Sequence, residues 1–158
     1  MLNQVLDHTW IAGHIPHQGS MCLLDQVLAW DEQHIQCCAR SHRVPDNPLR
    51  LQGRLGAACG IEYAAQAMAV HGAVLAPPNT ASARVGYLVS VRSVQLHTSR
   101  LDNIAADLQV EAICITRGEN NILYQFSISA DGKILLDGRA AVVVNAEALT
   151  SSSSGNTP

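Results

Sequence analysis

The sequence predicts an α+β domain in which a curved antiparallel sheet wraps one long helix. Three observations carry that expectation. The run Ala57 to Val70, AACGIEYAAQAMAV, is helix-forming and holds a single charge, Glu62. Apolar residues cover its other sides, so no solvated face is visible at the 3.6-residue period, and such a helix must be enclosed by protein. Downstream, Tyr124, Phe126, Ile128 and Ala130 alternate with Leu123, Gln125, Ser127 and Ser129, the period of a sheet with one covered face. Asp131-Gly132 is the dipeptide of a two-residue type I′ hairpin turn, which makes the neighbouring strands antiparallel.

The elements follow in order. Residues 1–21, punctuated by Gly13, Pro16 and Gly19, read as irregular. MCLLDQVLAWD (21–31) and HIQCCARSH (34–42) read as two strands joined by a polar turn at Asp31 to Gln33. RVPDNPLRLQGR (43–54), with two prolines and a glycine, is a loop delivering the chain into the helix. Gly53 and Gly56 flank the helix start, and His71-Gly72 is a stop signal. VLAPPNTASAR (74–84) reads as a surface connection, followed by strands over 86–98, 105–116, 121–130 and 133–145. Residues 1–147 make one domain, and the Ser-rich tail, 148–158, has no apolar periodicity and is expected to be mobile. A sheet with one apolar face and a helix apolar all round pack most economically with the first wrapped about the second. The sheet edges left over favour pairing in a dimer.

Bulk properties narrow the function. A formal charge of -3 and the absence of a basic run argue against a nucleic-acid surface. The N-terminus lacks the basic start and apolar core of a signal peptide, and no apolar run is long enough for a bilayer, so a cytoplasmic protein with no membrane partner is expected. Five cysteines, odd in number and set in apolar runs, fit buried thiols of a reducing compartment. No metal site is expected, since adjacent Cys37 and Cys38 would point to opposite faces of a strand. A serine hydrolase is disfavoured by the lack of a Gly-x-Ser-x-Gly elbow. Charged residues are only 15% of the chain, which leaves little surface to solvate and points to an oligomer.

Glu62 is the residue on which chemistry converges. Enclosed with its helix, it would be buried and its pKa raised, which makes it a candidate proton donor near neutral pH. Gln66, one turn on, is placed to hydrogen-bond it. The alternative is a structural carboxylate paired with a basic group such as Arg54. The helix start around Gly56 and Ala57 offers backbone N–H groups that could polarise a carbonyl, or merely a tight entry.

The pairing of IPHQGSMCLLDQV (15–27) with GIEYAAQAMAVHG (60–72) resembles the 3-hydroxyacyl-ACP dehydratases of the hotdog fold, and most of all the divergent branch of aryl polyene clusters. The similarity spans roughly residues 10–145. The resemblance implies a homodimer or higher homo-oligomer with sites at the subunit interface, and a tunnel for an acyl chain. It also implies a substrate carried on the phosphopantetheine of an acyl carrier protein, with no other cofactor. The housekeeping enzymes pair the helix carboxylate with a histidine in a His-x-x-x-Asn-Pro loop. Here Asn47-Pro48 remains, but Pro48 stands where that histidine would be, so the usual base does not carry over. The aryl polyene branch is similar in lacking it while keeping the Pro-His, here Pro16-His17.

On this reading Glu62 is the general acid and His17 the base, a neutral imidazole presented by the stiff Pro16. His42 is the alternative base, and His14 a further one. Gly56, Ala57 and Gln66 are expected to bind substrate. His8, His34, His71 and His97 show no acidic partner at meaningful spacing, and Tyr63 packs or anchors a hydrogen bond. Cys59 is the one cysteine near a helix start. Arg84 and Arg92 would meet an acidic carrier or the phosphopantetheine phosphate, or else are solvated strand-end charges. The expected activity is dehydration of 3-hydroxyacyl thioesters to trans-2-enoyl thioesters. A hotdog thioesterase and a noncatalytic carrier-binding protein are the competing readings.

Overall fold

The computed structural model describes residues 5–76 and 86–144. The central helix α2 (Gly60–Leu75) is entered through a 3₁₀ turn at Ala57–Cys59. None of its described side chains is fully exposed, as its lack of a polar stripe requires. Around it lies one seven-stranded antiparallel sheet of β1 (Leu6–Asp7), β2 (Gln26–Trp30), β3 (His34–Ala39), β4 (Gly86–Leu96), β5 (Leu108–Arg117), β6 (Asn121–Ala130) and β7 (Lys133–Val144). The strand order is β1-β2-β3-β5-β6-β7-β4, so β4, first of the meander, crosses to the far edge beside β7.

The alternation seen in β6 settles which side faces the helix. Ile122, Tyr124, Phe126, Ile128 and Ala130 are buried, and Leu108, Val110 and Ala112 of β5 and Leu136, Ala140 and Val142 of β7 join them in one core. Asp131 and Gly132 adopt φ of 53° and 78°, the left-handed pair that a type I′ turn demands. Cys37 enters the core while Cys38 donates from its thiol to Gln26 Oε1 at 3.5 Å on the opposite face. All five cysteines are free.

Several boundaries depart from the sequence reading. The segment expected to be irregular contains β1 and a short helix, α1 (His8–His14). Asp7 caps α1 by accepting from Trp10 N–H at 2.9 Å, and Ile11 is fully buried beneath it. The strand expected from Met21 starts at Gln26, and the strand expected to reach His42 stops at Ala39, where a 3₁₀ turn, Ser41–Arg43, begins. The segment 105–107 stays out of β5, and carbonyls there serve other donors: Ala105 accepts from Arg43, and Ala106, like the preceding Ile104, from His42.

The stop expected at His71-Gly72 fails as well, and the helix runs on to Leu75. His71 is drawn into the core, where Nε2–H donates to Asp31 O at 2.8 Å and Nδ1 accepts from Tyr124 O–H at 2.7 Å. Of the expected connection 74–84, Val74 and Leu75 are therefore helical and residues 77–84 lie outside the described residues, as does the tail. His34 and His97 do have acidic partners, Glu111 at 2.9 Å and Asp137 at 3.0 Å. Both pairs are diagonal neighbours across strands, a relation created by register and invisible in local spacing. Among the described residues no helix is long and apolar enough to cross a membrane.

Two expectations about stability follow. A Cβ on Gly60 would lie 2.7 Å from Leu136 Cδ2, in a fully buried part of the core. Gly60→Ala should lower unfolding free energy by about 1–2 kcal/mol in a denaturant titration, the overpacking cost exceeding the gain in helix propensity. Burial pushes both His71 and His42 below the ordinary imidazole pKa. The unfolded chain then binds more protons than the folded one, so this stability is present above about pH 6.5 and is lost as pH falls through and below that value. The unfolding free energy from urea titrations should drop between about pH 7.5 and about pH 5, at up to about 1.4 kcal/mol per pH unit for each histidine.

Candidate active site

Glu62 sits in the first turn of α2, facing the segment that leaves α1. There His17 Nε2 stands 3.2 Å from Glu62 Oε1. The two residues are 45 positions apart in sequence and meet because of one further side chain, Gln66. Gln66 is fully buried one turn beyond Glu62. Its Oε1 accepts from Leu23 N–H at 2.8 Å, and its Nε2 donates to Met21 O at 2.8 Å and to Glu62 Oε1 at 3.3 Å. One amide thus clips the strand-entry segment to the helix and holds the carboxylate that His17 meets.

The expectation of a fully buried Glu62 is corrected. Its side chain is 35% exposed and that of His17 26% exposed. The carboxylate of Glu62 reaches His17 from the first turn of α2 and keeps contact with solvent, while Gly60 and Tyr63 of the same turn face the core and the 41–47 loop. His17 Nδ1, by contrast, is sealed and has no partner among the described residues. The pair therefore combines one accessible proton-exchanging edge with one shielded nitrogen.

The remaining candidates are placed elsewhere. His42 is fully buried, its Nε2–H shared between Ile104 O and Ala106 O at 3.1 Å each, and it makes no contact with Glu62. His14 stacks on Trp10 and hydrogen-bonds Trp10 O at 2.7 Å. Ala57 is buried and its N–H donates to Ser99 O at 3.1 Å, whereas Gly56 is exposed and its N–H has no partner among the described residues. Arg54 forms no ion pair with Glu62. Burial pushes the thiols of Cys22, Cys37 and Cys38 up, so they are poor nucleophiles. Cys59 directs its Sγ toward Leu49 O at 3.9 Å.

A second network, only glimpsed in the sequence, holds the loop before α2. Tyr63 is buried and its hydroxyl meets Ser41 Oγ at 2.7 Å and Asn47 Nδ2 at 3.1 Å. Ser41 Oγ also donates to Leu23 O at 2.8 Å, so α2, the 41–47 loop and the strand entry share one junction. Burial raises the Tyr63 pKa, keeping the phenol neutral. Beside this junction opens a cleft of about 390 Å³ lined by residues including Gly19, Leu23, Ser41, Asn47 and Pro48. Asn47-Pro48 and the 15–27 motif, through Gly19 and Leu23, are the sequence signals that fall there.

A seven-stranded antiparallel sheet wrapped on one helix defines a hotdog-fold protein, here with a carboxylate and an imidazole in contact at the helix start. The chain belongs to the ApeP-like family, described as ApeP dehydratase, whose model matches residues 9–152. Similar solved structures share the fold. The dehydratase heterocomplex ApeI:P from Xenorhabdus doucetiae aligns with a TM-score of 0.76 at 23% identity, covering 85% of this chain and 90% of that one. A mutant of thioesterase PA1618 from Pseudomonas aeruginosa aligns at 0.63 and 14% identity, covering 90% and 96%. A hypothetical thioesterase from Streptococcus pneumoniae, solved with coenzyme A, aligns at 0.55 and 13% identity, covering 75% and 83%. No curated protein matches the chain.

The clip on α2 gives a direct test. Gln66→Ala leaves the buried Leu23 N–H without its partner and should cost about 1–3 kcal/mol of unfolding free energy, read from denaturant midpoints.

Proposed function

We propose that this chain dehydrates 3-hydroxyacyl thioesters carried on an acyl carrier protein to trans-2-enoyl thioesters, in a fatty-acid-like or aryl polyene pathway of the cytoplasm. The observation that carries the reading is the 3.2 Å contact between Glu62 and His17 in a member of a dehydratase family. Elimination needs a base for the C2 proton, an acid for the departing hydroxyl and a donor for charge gathering on the thioester oxygen. His17 Nε2 takes the C2 proton. The electron pair of that bond forms the C2–C3 double bond, and protonated Glu62 gives its proton to the leaving hydroxyl, which departs as water. The proton on His17 then crosses directly to Glu62 and resets the site.

Gln66 is a positioning residue in this scheme, fixing Glu62 Oε1 through its amide. The exposed Gly56 N–H is the donor offered to the thioester oxygen. Ala57 contributes its backbone position and not its N–H, which Ser99 already holds. The substrate arrives on phosphopantetheine, and the elimination needs no further cofactor. Free thiols at all five cysteines suit a reducing compartment. Strand β4 offers an unpaired edge with Leu88, Val89 and Leu96 exposed, which supports a homodimer or higher homo-oligomer. The relative from Xenorhabdus doucetiae is titled a heterocomplex, so a different chain is the alternative occupant of that edge.

A thioesterase is the second reading, favoured by the solvent contact of Glu62, which could activate water. Incubation with 3-hydroxyacyl-ACP separates the cases by mass spectrometry. Loss of one water supports the dehydratase, release of free acid the thioesterase, and binding with neither a noncatalytic carrier-binding role. Glu62→Gln and His17→Ala should each lower dehydration turnover by at least about a hundredfold, with melting temperatures little changed. Near-normal turnover in His17→Ala would remove the base assigned here and return attention to His42.

A further inference from the structure

The sheet face turned away from α2 carries an arrangement that the proposed reaction does not use. Arg92 on β4 stands directly opposite Arg139 on β7, and both side chains are exposed. Two residues along, on the same face, Ser90 stands opposite Ala141, with Leu123 of β6 beyond it. These residues and Ala140 line a depression of about 210 Å³. Strand alternation puts Arg139 and Ala141 on the outer face, since Leu136, Ala140 and Val142 point into the core.

Like charges directly opposite each other in an antiparallel pair repel. Asp137, two residues before Arg139, is paired with His97 at 3.0 Å. Among the described residues no carboxylate lies within ion-pair distance of Arg92 or Arg139. The chain as a whole is acidic, 13 Asp and Glu against 10 Lys and Arg, so an uncompensated arginine pair is a local feature and not a sample of a basic surface. The side chains beside the pair are small, Ser90 and Ala141, and leave open space where packing would otherwise occur.

We propose that Arg92 and Arg139 form a clamp for a phosphate-type oxyanion, with the Ser90 hydroxyl as a further donor. Guanidinium forks match the oxygens of a phosphoryl group and hold it by paired charge-assisted hydrogen bonds. A doubly charged oxyanion between the two cations also removes their mutual repulsion, so occupancy stabilises β4 against β7. Shared phosphate chemistry leaves two sources, a phosphopantetheine arm and a free phosphate-bearing metabolite.

Isothermal titration of the full chain with inorganic pyrophosphate at fixed ionic strength tests the clamp, alongside amide NMR shifts mapped on the wild type. Saturable binding is expected, with shifts centred on Ser90, Arg92 and residues 139–141. Arg92→Gln and Arg139→Gln should each weaken affinity about tenfold or more, while Lys133→Gln, which removes an equal charge from the start of β7, should keep it. Absence of saturable binding, shifts centred elsewhere, or equal weakening in all three variants would overturn the proposal. With the clamp established, tighter binding of 4′-phosphopantetheine than of inorganic phosphate assigns the anion to a substrate arm, and equal affinity assigns it to a free phosphate.

Discussion

A helix with no solvated side constrains everything built around it. The residues of α2 cannot form a stable surface in water, so the sheet must curve to enclose them and each polar group on the helix must find a partner inside. Gln66, Tyr63 and His71 are the three buried polar side chains of α2, and each is engaged. His71 ties the helix to β6 and to the β2–β3 turn, Tyr63 ties it to the loop before it, and Gln66 ties it to the segment entering β2. These bonds specify where the sheet lies on a helix whose alanine-rich surface would otherwise permit sliding.

The same requirement places the contact between Glu62 and His17. Glu62 is the only charged residue of α2, and it falls in the first turn, where a carboxylate meets solvent on one side and His17 on the other. Its environment is defined more by hydrogen bonds from Gln66 and the neighbouring imidazole than by exclusion of water. In the proposed reaction, which removes one proton and supplies another, this contact would let acid and base share a proton without an intervening relay.

Much of this is legible in the chain. The alternation of Tyr124, Phe126 and Ile128, the Asp131-Gly132 turn and the greasy helix specify the architecture, because period and turn chemistry are local properties. Glu62 stands out as the one charge of an apolar helix and His17 through a resemblance, and Gln66 bridges the distant segments that carry them. What escapes is non-local. Pairing of His34 with Glu111 and His97 with Asp137 arises from strand register, and the extension of α2 past Gly72 arises from capture of His71 by Tyr124. The small helix α1 escapes because its signal is one cap, Asp7, and one buried residue, Ile11. Full burial of Glu62 follows only if the helix is treated as a whole, and one side chain of a turn need not share the enclosure of its neighbours.

The amide of Gln66 has a consequence for how such a protein can change over time. A single side chain secures a strand entry and holds the Glu62 carboxylate, so under the proposed reaction fitness for folding and fitness for chemistry draw on the same three hydrogen bonds. A lineage released from the need to react would still be held to glutamine here by the need to fold. The geometry around Glu62 would then outlast the activity, and descendants that had abandoned the reaction would still carry the outline of its machinery.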